Sequence, residues 1–148
     1  MRHTAAHAGL LDMSAFAKCR ISGPGAEAFL DNLTANKLPK GIGRVSLSHA
    51  LTGRGGVHSE YTIQRESADS FYIVSAGAGQ RLDHDWIKKH MPDDGAVRFD
   101  NLTNSIGVLV LAGPRSRNIL QKLTRTDLSN KAFPWLSSKL IDVNMAPA

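Results

Sequence analysis

The chain has 148 residues, 42% hydrophobic and 21% charged, which is the size and composition of one globular domain or part of one. Its single cysteine, Cys19, excludes an internal disulfide framework and is typical of a reducing compartment such as the cytosol or the mitochondrial matrix. No apolar run approaches the roughly 18 residues of a membrane-spanning helix. The net charge of +5 permits an anionic partner, but the basic residues are scattered and lack interleaved aromatics, which argues against a nucleic-acid binder.

The first third of the chain predicts a strand followed by a helix. After a short apolar entry segment, Leu10 to Met13, strand character runs from Ala17 to Ser22. Gly23-Pro24 then opens a helix, since proline is well tolerated in the first turn. The helix presents one apolar stripe at the spacing i, i+3, i+4 and i+7, formed by Ala26, Phe29, Leu30 and Leu33.

The middle of the chain predicts a hairpin and a third strand. Apolar and polar residues alternate from Arg44 to Leu51 and again from Val57 to Arg65, with the glycine-rich turn Gly53 to Gly56 between them. The second strand places Val57, Ser59, Tyr61 and Ile63 on one face, and His58, Glu60, Thr62 and Gln64 on the other. A third strand is predicted from Phe71 to Ala76.

The second half of the chain alternates predicted helices and strands. A helix runs from Gly77-Ala78-Gly79 to about Met91, with Leu82, Trp86 and His90 on one side. Strands follow at Val97 to Leu102 and, as a buried one, at Ile106 to Ala112. Gly113-Pro114 opens a last helix whose inner face is predicted to be Ser116, Ile119, Leu120 and Leu123.

The last twenty residues carry weaker patterns. Leu128 to Leu136 predicts irregular structure or a short helix. A strand begins at Leu140 and is cut off by Met145 to Ala148, which fits either a truncated chain or a frayed natural terminus.

One carboxylate, Glu60, stands out among the groups that could carry chemistry. It lies on a hairpin strand just after a glycine turn, where a carboxylate can bind an amine or shift its pKa by partial burial. Spacing alone favours a solvated glutamate on a strand face. The six histidines match no metal-ligand spacing, so no metal site is predicted, and no Walker A, nucleophile-elbow or dinucleotide fingerprint is present.

Three segments together resemble the glycine-cleavage T-protein (aminomethyltransferase) family. They are Gly9 to Ser14 with Ile21 to Leu30, Thr52 to Ile63, and Leu109 to Arg117. Thr62 and Phe133-Pro-Trp135 are similar to the branch fused to dimethylglycine and sarcosine dehydrogenases. The resemblance implies an α+β fold, with a largely antiparallel sheet, one hairpin at its centre, and helices packed on one face.

The resemblance also implies a tetrahydrofolate pocket and assigns its residues. Glu60 matches the carboxylate that assists one-carbon transfer, where the family usually has aspartate. Phe16, Ser59, Ile73 and Ser75 match positions beside the folate. Ser59 replaces a second acidic residue, and Ser75 replaces an asparagine of the free T-protein.

The function implied is one-carbon transfer in a dimethylglycine or sarcosine dehydrogenase-like protein. Residues 1–148 correspond to the N-terminal part of its folate-binding domain, so the chain is expected to be a truncated, inactive piece. The ligands implied are folate and a one-carbon donor, with any FAD held in a missing region and a flavin dehydrogenase domain or a lipoyl carrier protein as partner. Open alternatives are a free aminomethyltransferase of the glycine cleavage system and a non-catalytic folate-binding or iron–sulfur-assembly relative.

Overall fold

The computed structural model describes residues 2–148, which divide into two compact units. The larger unit is Ala15–Gly107, and the smaller one combines residues up to Ser14 with Val108–Ala148. Every strand pair in both units is antiparallel. The predicted α+β class with a largely antiparallel sheet is therefore confirmed.

The larger unit is built on a five-stranded sheet with strand order β3-β4-β5-β2-β6. Its elements are β2 (Ala17–Ser22), α2 (Ala26–Leu33), β3 (Val45–Leu51), β4 (Val57–Ser67), β5 (Ser70–Ser75), a 3-10 turn (Gly77–Gly79), α3 (Gln80–His90) and β6 (Arg98–Asn101). The hairpin of β3 and β4 forms around the predicted glycine turn, but β3 is an edge strand. The prediction of a hairpin at the centre of the sheet was wrong, because β2 pairs with β5 and β6 instead of lying outside the hairpin.

Helices α2 and α3 pack against one face of the sheet. Phe29 and Leu30 of α2 and Ile87 of α3 belong to one buried cluster with the inward side chains of the strands. The strand members of that cluster include Cys19, Ile21, Tyr61, Ile63, Phe71 and Ile73. The predicted stripe of α2 is thus confirmed at Ala26, Phe29 and Leu30, with Leu33 packed at the margin.

Helix α3 buries a side other than the one that carries Leu82, Trp86 and His90. The rings of Trp86 and His90 lie together as predicted, 4.4 Å apart, and Leu82 is 68% exposed. The buried residues of the helix are Asp83, His84 and Ile87. Two of these three are polar, and one of them enters the site described below.

Edge strand β3 turns its small residues inward. Ser48 and Ala50 are fully buried, while Leu47 is 51% exposed. The segment after α2 runs directly against this part of the strand, with Ala35 N donating to His49 O at 2.9 Å and Asn36 N to Ser48 Oγ at 3.0 Å. So close a backbone leaves room only for small side chains.

The smaller unit contains short elements only. These are α1 (Arg2–Ala6), β1 (Gly9–Asp12), β7 (Leu109–Ala112), α4 (Ser116–Leu120), β8 (Asp142–Val143) and β9 (Ala146–Pro147). β1 pairs with β7, and β8 pairs with β9. A two-stranded sheet cannot enclose a core by itself.

Three predictions for residues 106–148 differ from the structure. The strand predicted as buried, Ile106 to Ala112, is confined to β7, where Leu109 is 67% and Val110 36% exposed. The last helix is only five residues long, and Ile119 and Leu123 of its predicted inner face are 41% and 48% exposed. The predicted strand from Leu140 shrinks to the two residues of β8.

Candidate functional site

A cleft of the sheet lies where β4 extends beyond the end of β5. The β4–β5 pairing runs from Ser67 opposite Ser70 to Thr62 opposite Val74. After Ser75 the chain leaves the sheet in the 3-10 turn Gly77–Gly79, whereas β4 begins five residues before Thr62, at Val57. The gap left beside this end of β4 is a cleft of about 520 Å³.

Four of the five residues predicted from the sequence come together in this cleft. Phe16, Ser59, Glu60 and Ser75 all contribute to its lining. The fifth, Ile73, is 2% exposed and lies in the hydrophobic core beneath β5, so its side chain does not reach the cleft. The remaining wall consists of Val57, His58, Thr62, Val74, Ala76, Gly79 and Asp83.

The Phe16 edge of the cleft is fixed by backbone contacts. The buried Lys18 donates from Nζ to the Phe16 carbonyl oxygen at 2.8 Å. Gly77 passes so close to Ala15, the residue before Phe16, that a Cβ added at Gly77 would lie 2.0 Å from the Ala15 carbonyl oxygen. Only glycine permits this approach, and it brings the 3-10 turn against Phe16.

Glu60 projects from the outer face of the sheet, as the alternation of β4 predicts. Its side chain is 70% exposed, and Oε2 lies 3.3 Å from Nε2 of His49 on β3. The two residues face each other directly in the strand register. The carboxylate is therefore accessible to a ligand in the cleft and has one imidazole beside it.

A second carboxylate in the cleft wall is one that sequence reasoning missed. Asp83 of α3 is 5% exposed and accepts a short hydrogen bond from the Ser59 hydroxyl. Ser59 Oγ lies in turn 2.7 Å from His58 Nδ1. Hydrophobic periodicity could not find Asp83, because a polar residue on the inner face of a helix leaves no apolar stripe.

The Asp83 carboxylate changes the pKa values of two neighbouring core residues, Cys19 and Tyr61. Burial, together with the Asp83 carboxylate, raises the pKa of the Cys19 thiol to about 12. Burial likewise raises the pKa of the Tyr61 hydroxyl above its ordinary value, and Asp83 adds to the effect while Ser59 opposes it. Both groups stay neutral at physiological pH, so Cys19 is no nucleophile.

The lining suits a flat, polar heteroaromatic ligand. Phe16 offers an aromatic face, and the hydroxyls of Ser59 and Ser75 and the carboxylate of Glu60 can accept hydrogen bonds from ring N–H groups. A cleft of this volume lies within the range of small-molecule sites, roughly 300–1,000 Å³. Across residues 2–148, no group of three or more His, Cys, Asp or Glu side chains could hold a metal ion.

Within the described part of the chain no helix has the length and apolarity that crossing a bilayer requires.

The smaller unit holds a separate polar hollow beside Lys122 and Arg125. The hollow is also lined by Asp142.

Comparison with known proteins gives consistent matches along the chain. Dimethylglycine dehydrogenase, mitochondrial, of Mus musculus is 38% identical over 140 residues, which cover 94% of this chain and 16% of that protein. Aminomethyltransferase of Chloroherpeton thalassium is 30% identical over 121 residues, covering 81% of this chain and 33% of that protein. The chain thus spans about a sixth and a third of the length of these two relatives.

The fold is also found among solved structures. The glycine cleavage system aminomethyltransferase T from Bartonella henselae superposes with a TM-score of 0.71 at 24% identity, covering 82% of this chain and 33% of that one. The predicted likeness of fold is confirmed by this match. Residues 1–148 match the GCVT N-terminal domain along their whole length, and the chain belongs to that family.

Proposed function

We propose that this chain forms the tetrahydrofolate-binding side of a one-carbon transfer site in a dimethylglycine dehydrogenase-like protein. The observation that carries the proposal is the convergence of Phe16, Ser59, Glu60 and Ser75 on one cleft. These residues lie on three separate segments of the chain, and the resemblance had placed all four beside the folate or the reacting group. The similarity to dimethylglycine dehydrogenase over 94% of the chain supports the same assignment.

The lining residues would contact different parts of tetrahydrofolate. Phe16 would pack against the flat face of the pterin, since aromatic faces favour stacked or edge-on ring contacts. The Ser59 and Ser75 hydroxyls would bind its polar edge. Ile73 lies on the same strand as Ser75, with its side chain buried in the core. It would hold this strand in place and not touch the ligand.

Glu60 is the proposed catalytic residue. Tetrahydrofolate supplies the amine nitrogen that takes up the one-carbon unit. The exposed carboxylate of Glu60 would place that amine and stabilise positive charge that develops at the reacting carbon. Such stabilisation is largest when the surroundings exclude water, which a cleft that covers only one side of a ligand does only in part.

The wider context is proposed from the relatives. A flavin portion would oxidise an N-methyl group, and the site described here would capture the carbon released. Its partner in this role is a flavin dehydrogenase domain, and the mitochondrial designation of the relatives suggests the matrix or, in a bacterium, the cytoplasm. A lipoyl carrier protein as donor is the second candidate, favoured by the aminomethyltransferase relatives.

Calorimetric titration with tetrahydrofolate tests the proposal. The protein that carries this chain in its full length should bind, and Phe16→Ala should weaken binding about tenfold, as expected for loss of an aromatic contact. Trp135→Ala is the control, because Trp135 is 84% exposed and does not line the cleft. The 148-residue chain alone should bind weakly or not at all, since the cleft encloses a ligand on one side only.

Two results would contradict the proposal. The first is full-length protein that does not bind tetrahydrofolate. The second is binding that Phe16→Ala leaves unchanged, because the ligand would then lie elsewhere.

A further inference from the structure

A hydrogen-bonded chain of three side chains connects the core to the cleft. Asp83 lies 5% exposed near the N-terminal end of α3, where negative charge is favoured by the helix dipole. The Ser59 hydroxyl donates to Asp83 Oδ1 and lies 2.7 Å from Nδ1 of His58. His58 stands at the outer end of this chain, in the cleft lining.

The direction of the hydrogen bonds follows from the number of protons available. An ionised carboxylate only accepts, so the bond between Asp83 and Ser59 uses the single hydroxyl proton of Ser59. Ser59 Oγ can then only accept from His58, which requires the imidazole proton to be on Nδ1. The neutral ring therefore keeps its lone pair on Nε2.

The imidazole ring is also held from the side. It stacks on Trp86 with ring centroids 4.1 Å apart and planes 27° apart. Within residues 2–148 no hydrogen bond to Nε2 of His58 is formed. The ring is therefore oriented by Ser59 and Trp86 and has one nitrogen available as a base.

We propose that His58 is the proton-transfer residue of this site and that Ser59 and Asp83 are positioning residues that fix its tautomer. The inference rests on the proposed function. His58 Nε2 accepts the proton that the attacking amine nitrogen loses as the new C–N bond forms. The imidazolium then gives this proton to the nitrogen of the departing amine as the old C–N bond breaks, so no oxidant, reductant or further proton is consumed.

His58 and Glu60 have different proposed roles in the reaction. His58 and Glu60 are two residues apart on β4, and both line the cleft. A carboxylate can stabilise a cation, whereas an imidazole can both take up and release a proton during the reaction. The site therefore holds one group for charge and one for proton transfer.

The tautomer of His58 tests the positioning step without any ligand. In this 148-residue chain labelled with nitrogen-15 at histidine, the ring nitrogens of His58 should show the Nδ1–H form at a pH where the ring is neutral. Ser59→Ala should shift the ring toward the commoner Nε2–H form. Ser48→Ala is the matched control, because Ser48 is also a buried strand serine but does not contact His58.

The catalytic step is tested in the full-length protein. His58→Gln should slow one-carbon transfer on the order of a hundredfold or more, as for loss of a general acid–base group, while tetrahydrofolate affinity stays within a few fold. Ser59→Ala should slow transfer less. Asp83→Ala removes the acceptor and frees the Ser59 hydroxyl to donate to His58 Nδ1, so it should alter the His58 tautomer in the same direction as Ser59→Ala.

The outcomes separate the two claims. An Nε2–H tautomer in the unmodified chain overturns the inference whatever the function. Transfer that proceeds at the unmodified rate in His58→Gln overturns the proton-transfer role and leaves the folate site intact. Full-length protein that shows the Nδ1–H tautomer but binds no tetrahydrofolate refutes the proposed function, and with it the catalytic part of the inference.

Discussion

Glu60 and His49 face each other across the β3–β4 pair, with Glu60 Oε2 3.3 Å from His49 Nε2. Both side chains are substantially exposed, 70% and 43% respectively. A contact so open to water contributes little to stability, about 0–1 kcal/mol even with a protonated imidazole. It gives the Glu60 carboxylate one partner on the neighbouring strand.

The first prediction concerns the charge of Glu60. In the full-length protein Glu60→Gln should lower the rate of one-carbon transfer on the order of tenfold to a thousandfold, as for loss of one aligned electrostatic group, with folate affinity changed less. Glu60→Asp should be milder, since it keeps the charge. The measurement is methylenetetrahydrofolate formation, with flavin oxidation followed separately.

A matched control lies six residues further along the same face of β4. Glu66 forms a two-point hydrogen bond with Arg20 and does not line the cleft. Glu66→Gln removes the same charge from the same strand and should leave transfer unchanged. If Glu60→Gln also transfers at the unmodified rate, Glu60 is only a solvated strand residue.

The second prediction concerns the close approach at Gly77. In Gly77→Ala the new Cβ would lie 2.0 Å from the Ala15 carbonyl oxygen, so the 3-10 turn must move away from Phe16. We expect the free energy of unfolding to fall by about 1–3 kcal/mol, the usual cost of overpacking, measured by urea denaturation. Gly53→Ala is the control, because nothing lies within 4 Å of a Cβ at Gly53. Equal stability of the two variants would contradict the prediction.

The third prediction concerns the hydroxyl of Tyr61. The side chain is fully buried, and its oxygen makes no hydrogen bond within the described residues. A buried hydroxyl without a partner is destabilising, so Tyr61→Phe should leave the free energy of unfolding unchanged or raise it by about 1 kcal/mol. A loss of stability on the order of 2 kcal/mol in thermal or denaturant unfolding would instead reveal a hydrogen bond to Ser59.

Local patterns predicted the elements that are stabilised by local contacts. The hairpin around Gly53 to Gly56 forms where alternation and turn chemistry placed it. The alternation of β4 also placed Ser59 and Glu60 on opposite faces correctly. These features depend on neighbours in sequence, which a single sequence contains.

Features that depend on distant packing were not predicted. The buried side of α3 includes Asp83, whose hydrogen-bond partner Ser59 lies 24 residues away. The position of the hairpin at the sheet edge is set by the pairing of β2 with both β5 and β6. Ile73 lies in the core because β5 turns alternate residues inward, and resemblance by position does not indicate which way a side chain points.

The last prediction concerns the pH dependence of stability through His84. His84 is 8% exposed, packs edge-on against Phe99 with centroids 5.0 Å apart, and has no hydrogen-bond partner for Nε2 among the described residues. Burial lowers the pKa of its imidazole below the ordinary 6.5, and Lys88 lowers it further, while Asp83 and Asp85 act in the opposite direction. Because the folded pKa is depressed, the unfolded chain takes up the proton first as the pH falls.

The stability associated with His84 is therefore fully present above about pH 6.5 and is lost as the pH falls through the lower pKa of the folded state. Urea denaturation at pH values from 8 to about 5 measures the slope. His84→Leu should flatten it, since leucine fills the buried site without a titrating group. His90→Leu is the control, because the ring of His90 is exposed at the end of α3 and should leave the slope unchanged. A slope that His84→Leu leaves intact would show that another buried group controls the acid limb.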